Sequence, residues 1–481
     1  MGALETLTKQ FSLNILYQFF SNEITSFKSD EVDFDFLFEE DGKIQKSFAE
    51  IRKLGEADLP NGEDLLVFTA HTIFSLTDRS GKKQQYEIAK KILKEEVSDA
   101  AFFIFYDDRG QFRFSFIRAD FKGTKREFTT FKRYTYFVSP SQTNQTFIRQ
   151  LSACSFQDLE EIQEAFSVEP LNKEFYQKIA KAFYGLIGGK VVEGSKAKEY
   201  IASLQLPSLD SIKNHRTYQE FAVRFIGRTI FIWFLKNKSS DAGLPLIPSD
   251  WLTSTKVAST KEYYHSLLEK LFFEILNTPI NERISSLPPE HTIIPFLNGG
   301  LFEPQHDDFY EAGFNDFSKY HNTLKLPDCW IQDLFETLEQ FNFTIDENTL
   351  TDMEVSIDPE MLGTIFENLL AEIDPGTEKS ARKSTGSFYT PREIVDYMVV
   401  ESLVANLHTK TSINEALLHT LFGDGDLNPG LVDQRSALID AFDEVKILDP
   451  ACGSGAFPMG ALHKINLALQ KLDPEAKVWK E

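Results

Sequence analysis

The residues best suited to chemistry lie near the carboxyl end of the chain, at positions 445–457. Val445 to Leu448 predict a β-strand ending at Asp449, and a glycine-containing loop leads to a helix predicted to start near Ala456. Glycines let the backbone approach a ligand at the carboxyl end of a strand. The Asp449 carboxylate would repel phosphate but suits an ammonium group, and the glycine spacing fits neither a dinucleotide fingerprint nor a P-loop. The segment predicts a ligand pocket, with an ordinary strand–turn–helix corner as the alternative.

A second string, Gly-Ser-Phe-Tyr-Thr-Pro at positions 386–391, lies about 60 residues earlier. Thr390 is a good helix N-cap and Pro391 a good first helical residue, so the string predicts the start of a helix at Arg392. Taken alone, it would be no more than a capping motif.

Together the two strings resemble motifs X and I of the N6-adenine DNA methyltransferases in which motif X precedes motif I. The resemblance implies S-adenosylmethionine as cofactor. By that resemblance Asp449 would hold the methionine ammonium, Gly453 and Gly455 would line the cofactor, and Phe457 would support the loop. Motif X would contact the methionine part of the cofactor. The implied cofactor-binding residues are Phe388, Tyr389, Thr390, Asp449, Pro450, Ala451, Cys452, Gly453, Gly455 and Phe457.

Segments 228–235, 295–302 and 358–370 are similar to signatures that precede motif X in type IIG restriction-modification enzymes. These enzymes join a nuclease, a helical connector, an adenine methyltransferase and a target-recognition domain in one chain. The resemblance therefore extends over nearly the whole sequence.

The catalytic motif of adenine methylation, Asn/Asp-Pro-Pro-Tyr/Phe, does not occur in the sequence. The one Pro-Pro pair, Pro288-Pro289, follows a leucine and precedes motif I. That motif would hold the target amino group and stack on a flipped base. We therefore expect the chain to be the front portion of a longer or split enzyme that does not methylate by itself.

The amino-terminal region is expected to resemble nucleases that bind Mg²⁺ through Asp and Glu-x-Lys on adjacent strands. Asp64 opens a predicted strand, but Thr69 and His71 stand where Glu and Lys are expected. A neutral Thr cannot replace a carboxylate ligand of Mg²⁺. An active nuclease, an inactive nuclease-like fold and an unrelated domain all remain open. We predict that the chain does not cleave DNA in a metal-dependent reaction. Asp64 is the candidate catalytic residue of a nuclease here. Mg²⁺ would be needed only if the domain is an active nuclease.

The charge of the chain, -23 over 481 residues, repels nucleic acid on average, so contacts with DNA must be local. Residues 79–133 hold 14 basic and 8 acidic side chains, interleaved with aromatic residues. Either this basic segment contacts phosphates, or its phenylalanines are core and its charges are solvated. The histidines show no paired metal spacing. Three scattered cysteines suggest a reducing compartment, and no apolar run is long enough to span a membrane.

The elements that must position these residues indicate a mixed α/β fold. Helices are predicted at 6–28, 82–94, 172–186, 218–236 and 392–408, and strands at 64–68, 101–106, 111–118, 133–138 and 445–449. These patterns, with the family resemblance, divide the chain into a nuclease-like α/β domain (1–165), a helical connector (166–375) and the start of a Rossmann-like methyltransferase domain (376–481).

The sequence thus predicts the amino-terminal portion of a cytoplasmic bacterial restriction-modification or phage-defence enzyme. The full protein would methylate adenine N6 in double-stranded DNA, and it would have a remaining methyltransferase and target-recognition portion or a separate subunit. The alternative is a non-catalytic DNA-binding or assembly subunit that retains a degenerate methyltransferase pocket.

Overall fold

The computed structural model describes most of the chain. The described residues are 2–77, 81–121, 129–193, 196–238, 240, 245–283, 287, 289–297, 300–313, 317–344, 352–358, 361, 363, 390, 392–423, 427–450, 452, 455–474 and 476–478. They form two compact units, 1–373 and 374–481.

The first unit is built around a seven-stranded mixed sheet. Its strands are β1 (Lys28–Asp33), β2 (Phe48–Asp58), β3 (Asp64–Thr72), β4 (Ala100–Tyr106), β5 (Phe112–Phe121), β6 (Thr129–Val138) and β9 (Asp352–Glu354). They lie in that order across the sheet. Neighbouring strands are antiparallel except the pairs β3–β4 and β6–β9, which are parallel.

Helices cover the sheet and continue into a helical region within the same unit. They are α1 (Ala3–Leu7), α2 (Leu13–Glu23), α3 (Gly42–Gln45), α4 (Lys82–Glu95), α5 (Gln145–Ala153), α6 (Leu159–Glu164), α7 (Glu169–Ile187), α8 (His215–Lys236), α9 (Ser254–Ser259) and α10 (Asp328–Leu338). Two π-helical segments, Tyr264–Leu268 and Leu271–Leu276, and a hairpin of β7 (Gly189–Glu193) and β8 (Lys196–Tyr200) complete it. Short 3₁₀ turns occur at Asp35–Phe38, Ile280–Glu282, Pro289–Thr292 and His306–Asp308.

One hydrophobic core runs from Leu4 to Met361, through one face of the sheet and the helices that follow it. The other face of the sheet packs separately, against α4. Residues on both sides of the predicted boundary at 165/166 share the larger core, so the structure does not separate them into two bodies.

The regular secondary structure in the described residues of the second unit is all helical. Its helices are α11 (Arg392–Thr411), α12 (Glu415–Phe422), α13 (Arg435–Asp443) and α14 (Ala456–Leu472), with a 3₁₀ turn at Pro429–Gln434. They enclose a core of their own, which includes Val395, Leu407 and Ala461.

Most predicted elements of the first unit are present, but several strands were missed and one helix was wrong. The helix predicted at 6–28 is two helices followed by β1, and β2, β7, β8 and β9 were not predicted. The long helices predicted after residue 165 are confirmed as α7, α8 and α11.

The strand predicted at 445–449 is also wrong, because these residues have no regular secondary structure. A strand needs a neighbour for its backbone hydrogen bonds, and the described part of the second unit contains none. Ile447 and Leu448, which a sheet would bury, are 54% and 88% exposed.

Among the described residues, no helix is both long and apolar enough to cross a membrane.

Candidate functional site

The loop of motif I leads directly into α14, as the sequence predicts. Gly455 has φ +86°, in the left-handed region that glycine tolerates and other residues rarely adopt. Its N–H donates to the Cys452 carbonyl over 2.7 Å, and its carbonyl accepts from Met459 N–H in the first turn of the helix. Asp449 is half-buried at the start of this loop. The loop thus presents a carboxylate and a glycine turn beside the amino end of a 17-residue helix.

Several predicted cofactor residues lie outside the described part of the chain. These are Phe388, Tyr389, Ala451 and Gly453. Of the others, Pro450 and Cys452 are exposed, Thr390 is half-buried, and Phe457 packs against the core of the second unit.

The structure adds a contact that the sequence could not provide: the helices that follow the two motifs pack side by side. A Cβ on Gly460 of α14 would lie 2.9 Å from Val395 of α11, so only glycine allows this approach. Lys464 and Asp396 form an ion pair of 2.6 Å between the same helices. These contacts join the first two turns of α11 to the second and third turns of α14. Thr390 and Gly455 each lie five residues before one member of the Val395–Gly460 contact.

A half-buried carboxylate, a glycine turn and a helix amino terminus follow one another along this loop. A carboxylate is chemically suited to an ammonium group. The helices that follow the two strings are in contact.

The nuclease candidate Asp64 is not brought together with Thr69 and His71. All three lie on β3, and Asp64 is separated from His71 by seven residues, about 23 Å at the rise of a strand. An odd separation also puts the two side chains on opposite faces of the sheet. One Mg²⁺ ion cannot bind both.

Asp64 instead lies at the amino end of β3, beside a cleft of about 670 Å³ that Asp99, Arg118 and Lys132 also line. Among the described residues, no group of three or more His, Cys, Asp or Glu side chains is arranged to hold a metal ion. Glu63, Asp64, Asp99 and Glu160 all line this cleft, but the described carboxylates are not grouped as the ligands of one Mg²⁺ ion would be.

The basic segment 79–133 is largely structural. Phe112, Phe114 and Phe116 are fully buried, which confirms their interpretation as core. Arg113 and Arg133 are also fully buried, so neither can reach a phosphate. The cations that stay exposed on α4 and the turn after β4 are Lys83, Lys91, Lys94 and Arg109. Arg79, Lys122, Lys125 and Arg126 lie outside the described residues.

The two buried arginines instead bind β9. Arg133 forms an ion pair of 2.5 Å with Asp352, and Arg113 one of 3.2 Å with Glu354, which also pairs with Lys82 at 2.8 Å. Arg133 further donates to the Lys82 carbonyl at the start of α4. A segment more than 200 residues away in sequence is thereby fixed to the sheet edge by opposite charges.

The two connector signatures, 228–235 and 295–302, contact each other through Arg228. Its guanidinium donates to the carbonyls of Leu301 and Glu303 at 2.6 and 3.2 Å and to the Asp308 carboxylate at 2.8 Å. Phe231 packs edge-on against Phe302. The residues that resemble the family signatures therefore hold the loop at 301–308 onto α8. Their described contacts indicate a structural role.

The chain is similar to a protein of Methanocaldococcus jannaschii named "Putative type II restriction enzyme and methyltransferase". The two are 29% identical over an alignment of 349 residues, and the similarity covers 65% of this chain. The chain spans 27% of the length of that relative. No protein-family model matches the chain, and no solved structure matches it. The similarity supports a relationship to restriction-modification enzymes.

Proposed function

We propose that this chain is the cofactor-binding front portion of a type IIG-like DNA methyltransferase that modifies adenine at N6 in double-stranded DNA. The observation that supports the proposal is the side-by-side packing of α11 and α14, the helices that follow motifs X and I. The relative's name, with both a restriction enzyme and a methyltransferase in it, supports the same class. Such a protein acts on DNA in the cytoplasm.

In this proposal S-adenosylmethionine supplies the methyl group. Asp449 accepts hydrogen bonds from the methionine ammonium, and the loop through Gly453 and Gly455 lets the backbone approach the cofactor. Phe388, Tyr389 and Thr390 contact its methionine part. The residues that hold the target adenine come from a remaining methyltransferase portion or a separate subunit, and exposed Ile447 and Leu448 suit burial against its strands.

The rival is a non-catalytic DNA-binding or assembly subunit that keeps a degenerate pocket. The reading frame after Glu481 distinguishes the two. Asn-Pro-Pro-Tyr within about 150 residues, the length of one domain, supports the enzyme, whereas a stop codon without a partner gene supports the rival.

Calorimetry tests the cofactor assignment. A protein that also contains the catalytic motif of adenine methylation should, under this proposal, bind S-adenosylmethionine more tightly than residues 1–481. Asp449→Ala should weaken binding by the intact protein at least about tenfold, because it removes a charge-assisted hydrogen bond. Gly455→Trp should do the same, since its φ of +86° strains any side chain.

Matched controls are Asp443→Ala, an exposed carboxylate of the same unit, and Gly423→Trp, a glycine with an ordinary φ of -81°. Both should bind normally. Undiminished affinity in Gly455→Trp would sink the cofactor assignment.

DNA binding by residues 1–481 should be weak, without sequence preference and steeply salt-dependent. The exposed cations of α4 can meet phosphates, whereas Arg113 and Arg133 cannot. Neutralising Lys83 and Lys94 together should reduce the magnitude of the slope of log K, the DNA-binding constant, against log salt concentration by about 2. This is roughly 1 for each phosphate that is no longer neutralised.

The control is Lys319→Ala, which removes an exposed ion pair with Glu311 elsewhere in the first unit and should leave the slope unchanged. Fluorescence titration across salt concentrations measures it, and tight, sequence-selective, salt-insensitive binding would contradict the prediction.

A further inference from the structure

Gly460 lies in the second turn of α14, where a side chain would not fit against α11. A Cβ at this position would come within 2.9 Å of Val395 Cγ1 and 3.7 Å of Val399 Cγ2. Glycine is a poor residue for a helix interior, because it loses more backbone freedom than alanine on folding. Valine in a helix has one strongly preferred rotamer, so Val395 cannot easily turn aside. The close approach of the two helices therefore explains the glycine.

An ion pair joins the same two helices one turn further along α14. Lys464 Nζ lies 2.6 Å from an Asp396 carboxylate oxygen, and the two side chains are only 13% and 23% exposed. Lys464 and Gly460 are four residues apart, so they share one face of α14. Sliding one helix by a turn, about 5.4 Å, would separate the two charges. The glycine thus limits the distance between the helices, and the ion pair fixes their axial register.

The closest contact lies near the start of both helices. Val395 is the fourth residue of α11, and Gly460 is the fifth residue of α14. At a rise of 1.5 Å per residue, the contact is within about 6 Å of each helix start along its axis. The Gly-Ser-Phe-Tyr-Thr-Pro string ends directly before α11, and the loop of motif I ends at Gly455, directly before α14. Because helices are rigid elements, a displacement at the contact also moves the two helix starts.

We propose that Gly460, Lys464 and Asp396 are positioning residues of the cofactor site, which set the spacing between motif X and the loop of motif I. The inference rests on the proposed function, because it takes S-adenosylmethionine as the ligand that the two motifs share. All three residues lie outside the two motif strings. Each acts through the helix that follows a motif, without contacting the cofactor.

Gly460→Ala should weaken the binding of S-adenosylmethionine at least about tenfold. The added methyl group must displace α11, and a misplacement of about 1 Å can slow a reaction about 100-fold. Val395→Ala removes the Cγ1 atom that the new Cβ would meet. The double variant Gly460→Ala/Val395→Ala should therefore recover most of the lost affinity. The matched control is Gly423→Ala in the same unit, where a Cβ would meet nothing closer than 3.9 Å, and it should bind as wild type does.

The ion pair allows a second, independent set of variants. Lys464→Met keeps the length of the side chain without its charge and should also weaken binding, whereas Lys464→Arg should preserve both the pair and the affinity. Asp396→Asn/Lys464→Met should bind no more weakly than Lys464→Met, because the two substitutions remove the same interaction. The control is Glu444→Ala, which breaks a pair of 3.1 Å with Lys410 in the same unit but removes a glutamate that is 75% exposed. It should leave the affinity unchanged.

Calorimetry measures the affinity of a protein that also contains the catalytic motif of adenine methylation, at a temperature at which circular dichroism shows every variant to be folded. A residue that only stabilised the fold would lower the unfolding temperature and leave this affinity unchanged. Positioning residues should instead lower the affinity of the folded protein, with recovery in the double variant.

Wild-type affinity in folded Gly460→Ala and Lys464→Met would overturn the proposal. So would a loss in Gly460→Ala that Val395→Ala does not reverse. Asp449→Ala, measured beside them, separates these outcomes from a failure of the proposed function. Weakened binding in Asp449→Ala alone would leave the cofactor assignment in place, whereas undiminished affinity in Asp449→Ala would overturn both.

Discussion

Replacing Asp308 with alanine is expected to lower the free energy of unfolding of the first unit by about 3–5 kcal/mol, the cost of breaking a buried ion pair from one side. The carboxylate accepts from Arg228 at 2.8 Å, Arg224 at 3.0 Å and the Gln305 N–H at 2.8 Å. The Asp308 and Arg228 side chains are only 2% and 4% exposed. Removing Asp308 leaves the Arg228 guanidinium buried without its counter-charge, which water cannot replace. Urea denaturation followed by fluorescence measures the change.

The matched control is Arg216→Ala, which breaks an ion pair of 2.9 Å whose arginine is 83% exposed, also on α8. Exposed pairs of this kind contribute about 0.3–0.5 kcal/mol. Equal effects of the two substitutions would contradict the assignment of Asp308 as an anchor of its loop.

The same anchor should show in the pH dependence of stability. Burial alone would raise the pKa of Asp308, but the hydrogen bond and charge of Arg228, with Gln305 and Arg224, outweigh it and lower the pKa. A carboxyl with a depressed folded pKa stabilises the fold above its unfolded pKa of about 3.9, and this contribution is lost as the pH falls through the folded value. In Asp308→Asn the free energy of unfolding should therefore fall less steeply than in wild type as the pH is lowered into the acid range.

The second large effect is expected from Glu354→Ala. This substitution should lower the free energy of unfolding of the first unit by about 3–5 kcal/mol, because Arg113, an ion-pair partner of Glu354, is fully buried. Burial lowers the pKa of Arg113, and Glu354 opposes that shift more than any other group. Without Glu354, β9 also loses its ion pair to Lys82. Hydrogen exchange should then show early opening at residues 352–354, ahead of global unfolding.

Glu160→Ala provides the comparison for β9. It removes an ion pair of 3.1 Å to Arg118, a neighbouring cation of β5, but the glutamate is 77% exposed. This substitution should lower the free energy of unfolding by less than about 1 kcal/mol. Protection at 352–354 that is unchanged in Glu354→Ala would show that strand pairing alone holds β9.

The missed elements share a physical cause. β1 is an edge strand with mostly exposed residues, so it lacks the alternation of apolar and polar positions that reveals a half-buried strand. β9 has three residues and is defined by its partner β6, more than 200 residues earlier. Conversely, residues 445–449 have the apolar pattern of a strand, but no neighbouring strand occurs among the described residues of the second unit. The pattern alone does not provide partners for the backbone hydrogen bonds.

The sequence by itself determined the features that depend on local spacing. These include the Phe112–Phe114–Phe116 alternation, the helices α4, α7, α8 and α11, and the two motif strings with their order along the chain. Only the tertiary structure decided which distant residues meet. Arg113 and Arg133 count as basic residues in the sequence, yet in the fold they are buried counter-ions of β9. Asp64 and His71 are seven positions apart on one strand, but sheet geometry assigns them to opposite ends and faces. Composition and periodicity record the charge and the face of a residue within its own element, whereas its partner depends on how elements far apart in the chain pack together.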